Sequence, residues 1–200
     1  MESQAHDPTS PTTFGWTRME DGTAEDYAAL TDNFNQHVRD SLVDHLFALL
    51  RAMQGPRFGY QVDRYRHSLQ SGTRALRNGE DVEMVVAALL HDVGDVVAPA
   101  NHSAVAADVL RPYVSDRTHW VIRHHGLFQG YYYFHHLGGD RDAREAFRDH
   151  EWFDDCAAFC HEYDQNCFDP DYDDLDLEEF RPLVEEVFGR PSRFTTVDLA

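Results

Sequence analysis

An apolar run that ends in a histidine–aspartate pair constrains the fold of this chain more than any other feature. Residues 84–90 read Met-Val-Val-Ala-Ala-Leu-Leu, and His91, Asp92 and Gly94 follow closely. The run is typical of a buried helix. Burying an imidazole and a carboxylate at its end is costly unless both groups have partners. A metal ion would satisfy both groups, whereas a helix C-cap with His91 half exposed is the alternative, and the pair alone does not separate the two.

Apolar residues recur at spacings of three and four along most of the chain, and no useful length of strand-like alternation is present. This periodicity predicts an all-α fold, a bundle of about seven to nine helices. An aromatic, glycine-containing stretch over residues 126–139 is expected to be irregular, and Asp116 is the expected N-cap of the helix before it. The predicted helices cover residues 23–54, 62–78, 81–91, 102–110, 116–125, 141–150, 153–165 and 177–188.

Length and composition fit one globular domain between two loose ends. The chain has 200 residues, of which 42% are hydrophobic, enough for a sizeable core. Residues 1–22 are rich in Ser, Thr, Pro, Asp and Gly, so we expect a flexible N-terminal arm that Trp16 could hold against the body. Residues 23–189 are expected to form a single domain, and residues 190–200 a tail.

The charge balance excludes several classes of partner. Thirty-six acidic and 17 basic residues give a net charge of −19, which disfavours nucleic acid and anionic membranes. All basic residues are Arg, which excludes Schiff-base chemistry and a lysine phosphate clamp. Three cysteines and the lack of an apparent signal peptide or membrane span predict a cytoplasmic protein. Thirteen histidines invite a metal hypothesis.

Candidate ligands fall on five of the predicted helices. Any one of these histidines, taken alone, is more often an ordinary core or surface residue, so the joint pattern carries the argument. Six nitrogen and oxygen donors suit two metal ions with open positions, and Asp92 could bridge them because a carboxylate has two oxygens. Donors without thiolate favour iron or manganese over structural zinc. The predicted metal ligands are His67, His91, Asp92, His102, His125 and Asp164.

The ordered set resembles a known superfamily over about residues 60–170. His67, the His91–Asp92 pair and Asp164 resemble the HD-domain superfamily, and His102 and His125 resemble its dinuclear branch. This resemblance implies an all-helical HD fold in which both ions are held by these side chains, with Asp92 bridging.

Two shorter motifs resemble one group within that branch. Residues 122–125 (Ile-Arg-His-His) and 162–164 (Glu-Tyr-Asp) are similar to the mixed-valent di-iron oxygenases, myo-inositol oxygenase and the phosphonate-cleaving oxygenases. The resemblance implies two iron ions, Fe²⁺ and Fe³⁺, with Mn²⁺ or Mg²⁺ as the alternative. His125 is preferred to His124 as the ligand because family members place it two residues after the Arg, which leaves His124 as a supporting group.

Departures from the family pattern bear on the substrate. Asp95 stands where the inositol enzyme has Lys and the phosphonate enzymes often have His. Gln129 replaces a Lys of the phosphonate enzymes, and Tyr60 replaces a Glu of some relatives. These changes disfavour an anionic clamp, and an acidic Asp95 facing an open iron would suit a hydroxyl-bearing or cationic substrate. Asp95, His124 and Gln129 are therefore the candidate catalytic residues.

The aromatic stretch at residues 128–136 has two interpretations. It could form a lid over the metals, in which Tyr132, His135 and His136, together with Tyr60, contact the substrate. It could instead be a packed connection between helices whose rings belong to the core.

The predicted function is an oxygenase that uses O₂ to cleave a C–C or C–P bond in a small polar, hydroxyl-bearing molecule. The alternative is a divalent-metal-dependent phosphohydrolase or phosphodiesterase, which would need arginines in the pocket for phosphate. A degenerate HD module that only binds a partner is disfavoured, because no ligand of the set is lost. The oligomeric state stays open. The arginine candidates for the alternative are Arg64, Arg66, Arg74 and Arg123.

Overall fold

A computed structural model describes residues 13–194 of the chain. The chain divides into two compact units, Met1–Leu42 and Val43–Ala200, and each is described by itself. The single domain over residues 23–189 therefore stays a prediction. Residues 1–12 of the predicted arm and 195–200 of the predicted tail lie outside the described part.

The first unit holds a 3₁₀ turn, Met19–Asp21, and the start of helix α1, Ala24–Ala52. A reciprocal cap fixes the beginning of α1, because the amide of Asp26 donates to Thr23 Oγ1 at 3.2 Å and the amide of Thr23 donates to Asp26 Oδ2 at 3.0 Å. The indole of Trp16 donates to the same carboxylate at 3.2 Å. Trp16 thus ties the segment before α1 to the first turn of that helix.

The second unit contains the end of α1 and six further α-helices. Together with α1 they make seven, and no strand occurs in residues 13–194, so the all-α prediction is confirmed. None of the helices between those limits combines the length and apolar character needed to cross a bilayer. The further helices are α2 Arg64–Arg77, α3 Val82–Leu90, α4 His102–Leu110, α5 Asp116–Tyr133, α6 Phe153–Phe159 and α7 Arg181–Phe188. Short 3₁₀ turns occupy Val93–Val96, Pro99–Asn101, Phe134–Leu137, Ala143–Phe147 and Leu177–Phe180.

Helices α2 and α3 form the centre of this unit. Residues 84–90 of α3 are all buried, as the apolar run predicts. Gly72 of α2 allows a close approach, because a Cβ there would lie 3.0 Å from the Phe180 ring and 3.2 Å from Leu89 Cβ. The tight contact places His67, in the first turn of α2, beside His91, which follows α3.

Helix α5 departs from the prediction at both ends. Its N-cap is Ser115 rather than Asp116, because the Ser115 hydroxyl accepts from the Thr118 amide at 3.3 Å. The prediction of irregular structure from residue 126 was wrong as far as Tyr133, because α5 continues to that residue. Gly126 sits within the helix because α4 packs closely there, and a Cβ at this position would lie 2.6 Å from Ser103 Oγ.

The region after α5 is less regular than predicted. The expected helix over residues 141–150 is reduced to the 3₁₀ turn Ala143–Phe147. The expected helix over residues 153–165 is α-helical only to Phe159 and continues as a π-helical turn, Cys160–Asp164, in which the Gln165 amide donates to the Cys160 carbonyl at 3.0 Å. Such turns are rare and are often found at functional sites. This one ends at the predicted ligand Asp164.

Candidate metal centre

Four buried or half-buried imidazoles are held in the same way. The Nδ1 atom of each lies 2.6–3.1 Å from a backbone carbonyl oxygen. A carbonyl only accepts, so Nδ1 carries the proton and the Nε2 atom of the neutral ring keeps its lone pair. The carbonyls belong to Cys167 for His67, Ala88 for His91, Pro99 for His102 and Ile122 for His125.

These Nε2 atoms face one another in two pairs. The distance is 3.1 Å between the Nε2 atoms of His67 and His91, and 3.3 Å between those of His102 and His125. When both rings of a pair are neutral, as metal binding requires, their facing lone pairs repel at this distance. A shared cation would remove the repulsion, so the arrangement fits a bound metal ion at each pair.

Asp92 lies between the two pairs and presents one oxygen to each. Its Oδ1 is 3.4 Å from Nε2 of both His102 and His125. Its Oδ2 is 3.5 Å from Nε2 of His67 and 3.6 Å from that of His91. A carboxylate in this position can bridge two ions.

Asp164 completes the pair formed by His67 and His91. Its Oδ1 lies 3.5 Å and 3.9 Å from their Nε2 atoms, and the side-chain amide of Gln129 donates to the same oxygen at 3.1 Å. We call the group His67, His91, Asp92 and Asp164 the first position. The group His102, His125 and Asp92 is the second position.

The donor chemistry fits a metal centre without thiolate. In the described part of the chain, His67, His91 and Asp164 form one group whose ligand atoms lie within 4.8 Å of one another, and His91, Asp92 and His125 form another. The buried thiols point elsewhere: that of Cys160, for example, donates to the His125 carbonyl at 3.3 Å. Imidazole nitrogen and carboxylate oxygen are suitable ligands for a divalent metal ion, and the choice of Fe or Mn stays a prediction.

Burial and charge set the protonation of the metal-free centre. Burial lowers the pKa of His67 to about 4 and that of His91 to about 3, so both rings are neutral near pH 7. Burial alone would raise the pKa of Asp92. The facing histidines, His91 foremost, outweigh burial and hold this pKa well below its usual value. Burial, reinforced by the charge of Asp92, raises the pKa of Asp164 to about 7. Burial opposes the charged form of His125, yet its hydrogen bond to Asp92 and the nearby carboxylates raise its pKa.

These shifts predict the pH dependence of metal binding. Asp164 and His125 must each lose a proton to act as ligands, whereas His67 and His91 have none to lose near pH 7. The apparent affinity should therefore fall as the pH drops below about 7, by about tenfold per pH unit for each displaced proton, and level off above the pKa values of both groups. Titrating metal-free protein with Mn²⁺ from pH 5.5 to 8.5 tests this. An affinity that stays constant down to pH 5 and falls only below it, where His67 and His91 protonate, would contradict it.

A cavity with a volume of about 700 Å³ reaches the second position. Asp92, His102, His125 and Asp164 form part of its wall, together with six further side chains that carry aromatic rings and several polar ones. A cavity of this size suits a small molecule. The rings that line it belong to Tyr60, His124, Tyr132, Tyr133, Phe134 and Phe168.

Only some of the other predicted site residues line this cavity. Tyr60, Gln129 and Tyr132 line it, as does His124, whose ring stacks on Trp120 at 4.2 Å and lies outside the ligand cluster. The described wall does not include Asp95, whose carboxylate faces Arg64 and His102. His135 and His136 are not part of that wall either, and their rings contact each other in a tilted arrangement with centroids 3.9 Å apart.

Two residues at the centre were missed by sequence reasoning. The Phe168 ring stacks on His67 and on Tyr60, with centroids 4.5 Å apart in each case. The Ser103 hydroxyl lies 3.1 Å from Nε2 of His102. Phe168 stands four residues after Asp164 and Ser103 directly follows a ligand, but proximity in sequence to a ligand is a weak signal.

Comparison with known proteins gives one match. A family model described as "HD domain" matches residues 64–163, which is half of the chain. The matched segment starts at the first residue of α2 and ends one residue before Asp164, so it includes the other five predicted ligands. No curated protein matches the chain.

Proposed function

This chain belongs to the HD-domain family, and we propose that it is a di-iron oxygenase acting on a small polar, hydroxyl-bearing substrate. The family consists mostly of metal-dependent enzymes. In the proposed reaction O₂ is the oxidant, and a C–C or C–P bond next to the hydroxyl-bearing carbon is cleaved. The three cysteines are free thiols, which supports a reducing cytoplasm as its location.

The observation that carries the proposal is the position of Asp92. One carboxylate oxygen faces His67 and His91, and the other faces His102 and His125, at 3.4–3.6 Å. This supports two ions that share one ligand. A pair of iron ions supplies the one-electron chemistry that O₂ requires, which a single redox-inactive ion does not.

The protein's own residues would hold and shield the reacting molecules. At the first position four side chains would act as ligands, and Phe168 stacks on His67. The second position would have three, and both of its histidines line the cavity whereas His67 and His91 do not, so substrate and O₂ would reach the centre from that side. Gln129 holds Asp164 through its amide, and the aromatic wall limits water near the ions.

A metal-dependent phosphohydrolase is the second candidate, with Mn²⁺ or Mg²⁺ as its ions. The observation that favours it is that Arg64 and Arg123 line the cavity and arginine is suited to binding phosphate. Both are already paired with carboxylates, however. Arg64 lies 3.4 Å from Asp92 and from Asp95, and Arg123 lies 3.5 Å from Asp108.

The remaining arginine candidates lie away from the cavity wall. Arg66 donates to Asp174 at 2.9 Å, and the Arg74 guanidinium lies 4.1 Å from the Tyr172 ring centroid. A phosphate group would therefore have to displace an existing carboxylate partner of Arg64 or Arg123. This favours the oxygenase over the hydrolase.

One preparation separates the two functions. Protein purified without oxygen is analysed for metal, and its electron-spin spectrum is recorded after partial oxidation. O₂ uptake is then measured with a panel of polyols, amino alcohols and hydroxyphosphonates. We expect about two irons per chain, the signal of a half-oxidised pair, and O₂ uptake with one substrate class. Hydrolysis of bis-p-nitrophenyl phosphate with Mn²⁺, and no O₂ uptake, would overturn the oxygenase in favour of the hydrolase.

A further inference from the structure

Four charged or polar side chains beside the centre form a closed ring of contacts. Arg64 places Nη1 3.4 Å from Asp92 Oδ2 and Nε 3.4 Å from Asp95 Oδ2. The other oxygen of Asp95, Oδ1, lies 3.4 Å from His102 Nδ1. His102 closes the ring, because its Nε2 lies 3.4 Å from Asp92 Oδ1. The ring therefore joins the bridging carboxylate to a ligand of the second position.

Three elements bring this ring together. Arg64 is the first residue of α2, Asp95 lies in the 3₁₀ turn Val93–Val96, and His102 is the first residue of α4. The turn and α4 approach closely at Gly94, where a Cβ would lie 2.6 Å from the His102 Cα. Both oxygens of Asp95 thus face Arg64 and His102, which line the cavity, whereas Asp95 itself is not part of the described wall.

Asp95 places a negative charge beside the His102 imidazole, which another contact already orients. The Pro99 carbonyl lies 3.1 Å from Nδ1 of His102 and fixes the tautomer by itself. A carboxylate near the same nitrogen makes the ring a stronger electron donor at Nε2. In the described part of the chain, the Nδ1 atoms of His67, His91 and His125 contact backbone carbonyls, and no carboxylate contact to them is found. The support is therefore specific to the second position.

Arg64 keeps Asp95 in place. Without a cation between them, the carboxylates of Asp92 and Asp95 would repel each other in this half-buried region. The guanidinium contacts both, and its planar fork fixes their separation.

We propose that Asp95, held by Arg64, sets the affinity of the second metal position and so determines whether the centre carries one ion or two. The inference rests on the two-ion centre of the proposed function. It assigns Asp95 a positioning role, acting through His102 rather than on the substrate.

The test is an anaerobic titration of metal-free protein with Co²⁺, followed by its visible spectrum. Wild-type protein is expected to bind two ions. In Asp95→Asn, which keeps the shape and removes the charge, binding of the second ion should weaken by about 10- to 100-fold. Binding of the first ion should change less than about threefold.

The matched control is Asp108→Asn. Asp108 also contacts one histidine and one arginine, His119 at 3.4 Å and Arg123 at 3.5 Å, but neither belongs to the metal centre. Its titration should equal that of wild type. Arg64→Lys supplies a second test, because it keeps the positive charge but loses the two-point contact. It should weaken binding of the second ion by less than Asp95→Asn does.

Two results would overturn the role of Asp95. One is a titration of Asp95→Asn that equals that of wild type, and the other is an equal loss of both ions in a variant whose circular dichroism is unchanged. The measurement needs no turnover. Failure of the oxygenase proposal would therefore show in O₂ uptake and leave this result standing, whereas an unaffected second ion would overturn the inference and leave the oxygenase intact.

Discussion

Asp92→Asn is expected to reduce the ion content from two per chain to at most one and to lower turnover by about 10³-fold or more. An amide has one oxygen available as a ligand and carries no charge, so it cannot bridge the two imidazole pairs that Asp92 faces. The loss of one ion removes several kcal/mol of charge stabilisation, which corresponds to a rate factor of this order. Metal analysis and O₂ uptake, each measured on the same preparation, give both quantities.

Asp108→Asn serves again as the control, since it makes the same chemical change on a carboxylate that contacts a histidine and an arginine outside the centre. It should keep both ions and full turnover. An Asp92→Asn protein that retains two ions with wild-type affinity would show that Asp92 does not bridge, and the two-ion centre would have to be abandoned.

Gly94→Ala is expected to destabilise the metal-free protein by about 1–3 kcal/mol and to abolish binding of the second ion. A Cβ at position 94 would lie 2.6 Å from the Cα of His102 and 2.8 Å from its carbonyl carbon. These are backbone atoms, so the contact cannot be relieved by a change of rotamer. The start of α4 would have to move, and His102 would move with it. Urea unfolding of the metal-free protein and a Co²⁺ titration measure the two effects.

Gly15→Ala is the matched control. It makes the same substitution where a Cβ would meet nothing within 4 Å, so its effect on stability should stay within about 0.5 kcal/mol. If Gly94→Ala unfolds at the same urea concentration as wild type and binds two ions, the close approach of the 3₁₀ turn to α4 does not position His102.

Much of the centre could be predicted because its signals are local in sequence. The apolar run before His91 predicted α3, and α3 is buried throughout. The ligand set was predicted from one histidine or aspartate per helix, together with the family resemblance. The structure brings all six side chains within 4 Å of at least one other member.

The rest depended on contacts between residues that are distant in sequence. Irregular structure was expected from Gly126, but α5 continues through it, and the missing side chain leaves room for Ser103 of α4. Asp95 was expected to face the substrate from its place three residues after Asp92, yet its direction is set by Arg64, 31 positions earlier. No periodicity in the chain encodes either contact. The role of Asp95 toward substrate stays a prediction, and its contacts with Arg64 and His102 favour a positioning role.

The two ion positions differ in how deeply their ligands are buried, and this bears on exchange kinetics. His67 and His91 are fully buried, whereas 27% of the His102 side chain is exposed. Asp92 and Asp164 line the cavity but His67 and His91 do not, so an ion at the first position should leave more slowly than one at the second, where both histidines line the cavity. A chelator should therefore remove the second ion first and leave a half-loaded protein, detected by metal analysis over time. The inner ion would then record which metal was present during folding, and the outer one would follow the surrounding medium.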